Sequence, residues 1–589
     1  MGSSLLGAAL GELLPHRGRP PLRRWDRRLG TLALAVLVLI GPASWLATAG
    51  QDPVTVVDDG TVDHTLPSDP SAPGPFSSTE LTYGSGTDPR PAYGDEADLI
   101  TETVDASRTI QGWDEDRRAL WGFAIEELPL NARVWYPHGD GPFPLVLLVH
   151  GNKSNATHSE DGFRYLGEQL AGHGVIAVSV DQNFLNTGVL DRDGGLRGVE
   201  EARGRLLLEH LRTWKAWNEQ EGTPFTGKVD LVNVGLLGHS RGGEAIVTAT
   251  HLAQRDGLSG MTIRSLLALA PSEGQYRSDD GLITLRNVDY LVLQGSHDAD
   301  VVGFGGLNQY ARTTFDGDEY RFAAALAVER ANHGQFNSRW GRHDIGYGLP
   351  AMLLDDDALL SAEDQRRVAK LYSTAFFTGT LLGNEDMLEL FRDYRVAEPW
   401  LPETNYVSRF TDSTTVVADD GTVRAEGGSD FTTTPLPLRS GPGQDTVHRL
   451  TWEGGQTPTV TTPVRSEGQI EAVVFDAVAT TPGTDLADSV TVRLVDEAGE
   501  SVSVSLADRL PLKGSVPGQY LVAPWLQSTA LNEPVPQTYR IPLEDVGGDT
   551  AFDAAELATV TLEFDGATGG TVLLDDIGVA GEPTSTSRP

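Results

Sequence analysis

The stretch Leu231-Val-Asn-Val-Gly-Leu-Leu-Gly-His-Ser-Arg-Gly-Gly243 decides the fold, because it joins an apolar run to a G-x-S-x-G motif. Residues 231–237 predict a buried strand, and residues 242–252 predict a helix just after the motif. Glycines two positions either side of Ser240 permit the sharp strand-to-helix turn that exposes a nucleophilic hydroxyl. The turn also directs the helix N-terminus at a developing oxyanion. We therefore predict that Ser240 is a nucleophile, with an incidental serine in a glycine-rich turn as the alternative.

Strands and helices alternate around this motif from residue 131 to about residue 400. The other short apolar runs of buried-strand type are residues 145–149, 175–180, 266–270, 291–293 and 323–328. Helical patterns cover residues 163–171, 201–217 and 361–391. Continuous apolar strands indicate a mostly parallel sheet that is covered on both faces. The pattern predicts an α/β, doubly wound domain over residues 96–403.

A serine hydroxyl needs a base, so an acid and a histidine should follow, each after a later strand. Residues 295–301 read Gly-Ser-His-Asp-Ala-Asp-Val and follow the predicted strand 291–293. Two carboxylates in this segment, Asp298 and Asp300, are candidates for the acid. We favour Asp298, since acids at such a position often read G-x-x-D-x-x-V, and Asp300 is the alternative.

The histidine should follow the last parallel strand. His333 comes five residues after the end of the predicted strand 323–328, while His343 lies farther along the chain. We therefore predict that His333 is the base, held in its tautomer by Asp298.

The oxyanion hole needs two backbone N–H donors. One should be Arg241, the residue after the nucleophile. The other should come from the loop after strand 145–149, which opens with His150-Gly151. We choose the N–H of Asn152 over that of Lys153, and we interpret His150 as structural.

These motifs resemble the α/β-hydrolase superfamily. The resemblance rests on residues 238–243, His150-Gly151 and Asn332-His333-Gly334. Residues 134–137, 171–174 and 180–181 are similar to the dienelactone-hydrolase and platelet-activating-factor-acetylhydrolase-like branch. The resemblance implies a cofactor-free serine hydrolase that cleaves carboxylic esters. Arg241 and Asn152 depart from the pattern of many lipases, which puts a lipid substrate in doubt.

Two other functions remain open. A serine peptidase or amidase would use the same triad, and a surface-binding protein could retain a vestigial hydrolase domain. A metal-dependent hydrolase has ligand types available in His297, Asp298, Asp300, His343 and Asp344, but no residue pair has the spacing of a metal motif.

The sequence pattern changes after about residue 401, where short β-type runs replace the helical periodicity. They cover residues 470–475, 490–495, 502–506, 560–564 and 572–577. We predict an all-β sandwich over residues 404–580, followed by a tail at 581–589. We expect residues 76–403 to fold without this sandwich.

The end of the sandwich, Leu574-Asp575-Asp576-Ile577, resembles carbohydrate-binding jelly rolls. That resemblance implies a polysaccharide or cell-surface ligand. The rings of Trp452, Tyr520 and Trp525 suit stacking on sugars, but we favour core or rim positions in the sandwich. Asp575 and Asp576 suit calcium, although we favour a solvated turn.

The N-terminus has an export pattern. Six arginines between residues 17 and 28 precede the apolar run 31–40, and Ala47-Thr48-Ala49 offers a cleavage site before Gly50. We predict a signal peptide or a membrane anchor over residues 1–49, then a linker or arm over residues 50–95. Either places the remainder outside the cytoplasm, secreted or at the cell surface.

The net charge of −38 argues against a nucleic-acid partner, because phosphates would repel the chain. The absence of cysteine excludes disulfides and thiolate chemistry.

Overall fold

The computed structural model describes residues 56–60, 62–186, 195–345, 351–465, 469–480, 486, 489–546 and 551–582. The predicted signal peptide or anchor, its cleavage site and residues 583–589 of the tail lie outside this part of the chain. No helix within the described ranges is long and apolar enough to cross a membrane.

The first part of the chain contains a large sheet with helices. Its strands are β1 (Ser78–Gly84), β2 (Leu99–Ile100), β3 (Asn131–Pro137), β4 (Phe143–Val149), β5 (Ile176–Asp181), β6 (Val229–His239), β7 (Ile263–Leu269), β8 (Leu285–Arg286), β9 (Asp289–Gly295), β10 (Thr313–Thr314), β11 (Phe322–Val328) and β12 (Tyr406–Asp412). Its helices are α1 (Glu115–Trp121), α2 (Arg164–Gly172), α3 (Val199–Glu219), α4 (Arg241–Asp256), α5 (Gly306–Ala311), α6 (Ala362–Leu382) and α7 (Glu389–Arg392).

Ten of these strands form one mixed sheet in the order β12-β11-β9-β7-β6-β4-β5-β3-β1-β2. The six central strands, from β11 to β5, run parallel to one another. Strands β3, β1 and β12 pair antiparallel at the two sides. All six predicted strands are present, so the α/β character follows from the apolar runs. The antiparallel additions make the sheet mixed.

Helices cover both faces of the sheet. Leu145 and Leu147 of β4 belong to the apolar cluster that contains Trp214 of α3 and Ile246 of α4. The alternate residue Val146 belongs to a second cluster, which α2 and α6 share. Successive side chains of a strand point to opposite faces of the sheet. A strand that is apolar at every position is therefore buried on both faces.

The second part of the chain contains antiparallel sheets. Its strands are β13 (Thr415–Val417), β14 (Arg424–Glu426), β15 (Asp430–Leu438), β16 (Gly441–Trp452), β17 (Thr459–Pro463), β18 (Ile470–Ala479), β19 (Val490–Asp496), β20 (Ser501–Ser505), β21 (Val516–Pro517), β22 (Asn532–Glu533), β23 (Gln537–Pro542), β24 (Leu557–Phe564) and β25 (Gly570–Gly581). One sheet has the order β15-β16-β25-β18-β23, with β13 also on β25, and the other has β14-β17-β24-β19-β20. Val473 and Val572 of the first sheet share an apolar cluster with Val492 and Leu562 of the second.

Two of our predicted boundaries need correction. Strand β1 lies inside the expected linker 50–95, and its Tyr83 is fully buried. Strand β12 lies beyond residue 403 yet forms a seven-residue ladder with β11. Both strands pair with partners distant in the sequence, and their local composition does not reveal the partner.

Arg409 of β12 connects the two parts of the chain. Its buried guanidinium lies 2.6 Å from Asp445 and from Asp476, 3.3 Å from Asp576 and 3.5 Å from Asp575. Asp575 and Asp576 therefore face a buried cation from the sandwich side, and Asp575 is not in a solvated turn. Removing one charged partner from a buried ion-pair group of this kind typically lowers the free energy of unfolding by about 3–5 kcal/mol.

Apolar packing also crosses between the two parts. The cluster that contains Leu145 and Trp214 also contains Leu436, Val478 and Leu573 of the sandwich. A chain that ends at residue 403 would expose this surface and the edge of β11.

We therefore expect residues 76–403 alone to aggregate or to melt without cooperativity, contrary to our expectation from the sequence. Residues 56–582 should melt cooperatively, because they retain β12 and the sandwich. Solubility and thermal denaturation of the two fragments measure this difference. A cooperative transition of the short fragment near that of the long one would contradict it.

Candidate active site

Ser240 lies at the turn between β6 and α4, with φ 57° and ψ −126°. A residue other than glycine at positive φ is strained by about 1–3 kcal/mol, which the surrounding structure must hold in place. A Cβ atom on Gly238 would lie 2.1 Å from the carbonyl oxygen of Gly242. A Cβ atom on Gly242 would lie 2.2 Å from the carbonyl oxygen of Val149. Both glycines of the motif are therefore needed sterically.

The backbone of Ser240 is fixed by hydrogen bonds on both sides. Its N–H donates to the carbonyl oxygen of Leu269 over 2.9 Å, and its own carbonyl oxygen accepts from Gly243 and Ser272. Gly151 lies directly against the side chain, because a Cβ atom there would be 2.8 Å from Ser240 Oγ. The loop after β4 thus lies beside the predicted nucleophile.

His333 and Asp298 form a buried pair. His333 Nδ1 lies 2.8 Å from Asp298 Oδ2, and both side chains are almost fully buried. A carboxylate only accepts, so Nδ1 donates the proton and Nε2 is the basic nitrogen. Asp298 Oδ1 accepts from the N–H groups of Asp300 and Val301 at 2.9 and 2.7 Å. The loop thus holds the carboxylate in a single orientation.

Asp300 occupies a different position. Its Oδ2 lies 3.6 Å from Nε2 of His333, and its side chain is 45% exposed. Asp298 is therefore the carboxylate on Nδ1 of His333, and Asp300 lies on the side of Nε2. His343 lies elsewhere, with its Nδ1 3.1 Å from Asp356.

The environment of His333 favours its protonated form. Burial lowers the pKa of the imidazole, but the Asp298 carboxylate outweighs burial, and Asp300 and Asp344 add to its effect. The pKa of His333 is therefore raised above its ordinary value. Within the described residues, Nε2 has no hydrogen-bond partner.

His239, the neighbour of Ser240 in the motif, packs against His333. The two ring centroids are 4.8 Å apart, and His239 Nε2 lies 3.0 Å from the carbonyl oxygen of His333. The ring of Trp340 lies 4.5 Å from that of His239. Burial holds the pKa of His239 well below its ordinary value. A neutral imidazole in the motif thus helps to locate His333 beside the turn of Ser240.

Asp344 is a site residue whose role the sequence did not reveal. It accepts hydrogen bonds from the N–H groups of Ala299, His333 and Gly334 at 2.9–3.1 Å. Burial, followed by the charge of Asp298, raises the pKa of Asp344 to about 7. This side chain connects the loop of the acid to the loop of the histidine. We had considered it only as a metal ligand.

Of the two residues predicted for the oxyanion hole, Arg241 is next to Ser240 in the chain, and Asn152 is next to a residue that contacts Ser240. Arg241 is the first residue of α4, so its N–H is at the helix N-terminus. Asn152 follows Gly151, which contacts Ser240. Lys153 Nζ lies 5.5 Å from the ring centroid of Trp340 and 3.5 Å from the carbonyl oxygen of His343.

In the part of the chain that the structure describes, the five residues with metal-ligand chemistry do not form a group whose ligand atoms all lie within 4.8 Å of one another. In the described ranges, the group with ligand atoms within 4.8 Å of one another is His150, Glu160 and Asp181. Arg90 forms ion pairs with both of these carboxylates, at 3.8 and 2.5 Å. This cluster is therefore a buried ion-pair network, which a protein cation already occupies.

The three predicted sugar-stacking residues differ in exposure. Trp452 is buried in the sandwich core, and Tyr520 is half-buried near Ala299 and Leu354. Trp525 is 73% exposed. Trp452 has no open ring face for a sugar, so this prediction now rests on Trp525.

Asp300 gives a test of the charge around His333. If His333 is the base that the sequence predicts, its imidazole must be neutral to accept a proton, and activity should fall as the pH drops through its pKa, which lies above 6.5. Asp300→Asn should move this acidic limb down by about 0.5–1 unit, since a charge about 4 Å away contributes about 1 kcal/mol in water. The measurement is kcat/KM for a chromogenic ester against pH.

The matched control is Asp318→Asn, which removes an exposed carboxylate from the segment between β10 and β11. Its acidic limb should coincide with that of the unmodified protein. An unshifted limb in Asp300→Asn would show that this carboxylate does not act on His333.

Comparison with known proteins gives no family for the chain. No family model matches it, and no curated protein matches it significantly. Inferences about its function rest on the arrangement of Ser240, His333 and Asp298.

Proposed function

We propose that this protein is a serine hydrolase of the α/β-hydrolase type that cleaves carboxylic esters through an acyl-enzyme. The observation that carries the proposal is a buried His333–Asp298 pair at 2.8 Å whose histidine packs against His239, the neighbour of the strained, glycine-flanked Ser240. A serine at such a turn is a nucleophile when a histidine oriented by an acid is beside it.

The topology supports the same proposal. Ser240 follows β6, Asp298 follows β9 and His333 follows β11, in the chain order Ser-Asp-His. These strands are parallel, so their carboxyl ends meet at one edge of the sheet. The order β1-β3-β5-β4-β6-β7-β9-β11, with β3 antiparallel, fits an α/β-hydrolase. We assign the finer resemblance, to the dienelactone-hydrolase and platelet-activating-factor-acetylhydrolase-like branch, on sequence motifs alone.

In the first half-reaction, Ser240 Oγ bonds to the acyl carbon while its proton passes to Nε2 of His333. Asp298 stabilises the imidazolium that forms, and the N–H groups of Asn152 and Arg241 hold the oxyanion. The bond from the acyl carbon to the alcohol oxygen then breaks, and His333 returns the proton to the leaving alcohol. Water repeats these steps on the acyl-enzyme and releases the carboxylic acid and Ser240.

The alternatives differ in the leaving group or in activity. A peptidase or amidase would protonate an amine with the same residues. A vestigial domain would have no reason to retain a strained Ser240 beside a fully hydrogen-bonded Asp298. This strain, with no stabilising benefit to the fold, favours an active enzyme over a binding protein.

A fluorophosphonate probe tests the proposal, because it reacts with activated serines. We expect labelling of Ser240, loss of labelling in Ser240→Ala, and hydrolysis of esters in preference to peptides. Ser240→Ala and His333→Ala should each lower kcat by about 10³-fold or more, and Asp298→Asn should also be severe. Thermal denaturation should show that the variants stay folded. Unlabelled native protein would exclude the proposal, and faster cleavage of amides would favour the peptidase.

We also propose that the enzyme acts outside the cytoplasm, as a secreted or N-terminally anchored protein. The arginines and the apolar run within residues 1–49 support this location, since basic residues stay on the cytoplasmic side. A polysaccharide or cell-surface ligand for the sandwich is proposed on the exposed ring of Trp525.

N-terminal sequencing of protein from the medium should give a chain that starts at Gly50. An intact N-terminus in the membrane fraction would identify the segment as an anchor. Full-length enzyme in the soluble cytoplasm would contradict both versions.

A further inference from the structure

His150 precedes the oxyanion loop and uses both ring nitrogens within the protein. Its Nε2 accepts a hydrogen bond from the backbone N–H of Gln182 over 3.0 Å. Its Nδ1 lies 2.8 Å from the carbonyl oxygen of Gly151. A backbone N–H only donates and a carbonyl only accepts, so Nδ1 carries the proton and donates it to Gly151.

The surroundings keep this imidazole neutral. His150 is fully buried, and burial followed by the charge of Arg203 lowers its pKa to about 4. The ring therefore retains the same tautomer at neutral pH, and Nδ1 continues to donate.

Gln182 and Arg203 hold this ring from behind. Arg203 Nη1 donates to the side-chain oxygen of Gln182 at 3.1 Å and to the carbonyl oxygen of His150 at 3.4 Å. Gln182 Nε2 donates in return to the carbonyl oxygen of Arg203 over 3.1 Å. These hydrogen bonds hold Gln182, whose backbone N–H donates to His150, and the backbone carbonyl of His150 itself.

The hydrogen bond to Gly151 determines the direction of one peptide group. In a trans peptide, the C=O of one residue and the N–H of the next point in opposite directions. Holding the Gly151 carbonyl toward the His150 ring therefore turns the Asn152 N–H away from that ring. This peptide begins at Gly151, which contacts Ser240 Oγ and Cβ.

We propose that His150 is a positioning residue, which sets the Gly151–Asn152 peptide so that the Asn152 N–H can hold the oxyanion at Ser240. The role rests on the proposed ester hydrolysis. Because both ring nitrogens are engaged by the backbone, His150 acts through this peptide and does not contact the substrate.

Two substitutions separate the two hydrogen bonds. His150→Asn retains an N–H donor near the position of Nδ1 and loses the acceptor for Gln182. His150→Gln retains an acceptor near the position of Nε2 and loses the donor to Gly151. Both have similar polarity, so each is the control for the other.

With p-nitrophenyl acetate as the substrate, we expect His150→Gln to lower kcat by about 100-fold, as for loss of an oxyanion donor. KM should change by less than about 3-fold, because the donor acts mainly on the transition state. His150→Asn should lose less than about 10-fold. Equal losses in the two variants at equal thermal stability, or a greater loss in His150→Asn, would overturn the proposal.

A measurement on the native protein is independent of whether the variants fold. Nitrogen NMR should find His150 protonated at Nδ1 alone at pH 7, and the opposite tautomer would overturn the role. Fluorophosphonate labelling of native Ser240 distinguishes failure of the proposed hydrolysis from failure of the positioning role. Without labelling the proposed hydrolysis fails, whereas labelling with equal His150 variants rejects only the positioning role.

Discussion

The close approach of three backbone segments at Ser240 is the constraint on which the site depends. A Cβ atom on Gly238, Gly242 or Gly151 would clash with a neighbouring segment. Ser240 consequently has a positive φ that its side chain disfavours. Strain of this size persists only where the stabilisation from surrounding hydrogen bonds and packing exceeds its energetic cost. The parallel strands β4, β6 and β7 supply them, since their carboxyl ends hold the Ser240 turn between Val149 and Leu269.

The histidine and its acid are held by different means. Their loops are irregular, so side-chain hydrogen bonds replace the sheet ladder. Asp344 accepts from Ala299 on one loop and from His333 and Gly334 on the other. A buried carboxylate that bridges two backbone segments fixes their separation more tightly than apolar contact does, because hydrogen bonds are directional. The 2.8 Å distance between His333 and Asp298 thus depends on a third carboxylate.

The sequence predicts the local parts of the fold, and it places the candidate site residues after predicted strands. Each central strand contains a short apolar run, and Ser240, Asp298 and His333 each lie within five residues of the end of a strand. Asp344 was missed because its partners come from two loops that only the folded chain brings together. Strand β1 was missed because residues 50–95 are rich in Pro, Ser, Asp and Gly, which obscured one buried seven-residue segment. The role of Arg409 was missed because its four carboxylates lie on three strands of another sheet.

The sandwich also supports the acid of the proposed triad from outside. Glu533 accepts from the N–H of Phe304, just beyond the acid loop, and forms a buried ion pair with Arg439 at 3.0 Å. A Cβ atom on Gly518 would lie 2.7 Å from the carbonyl oxygen of Ser296, which precedes Asp298 by two residues. The loop of Asp298 is therefore enclosed between the His333 loop and the sandwich. The orientation of His333 depends on Asp298. The sandwich therefore contributes to the geometry of the site without providing a reacting group.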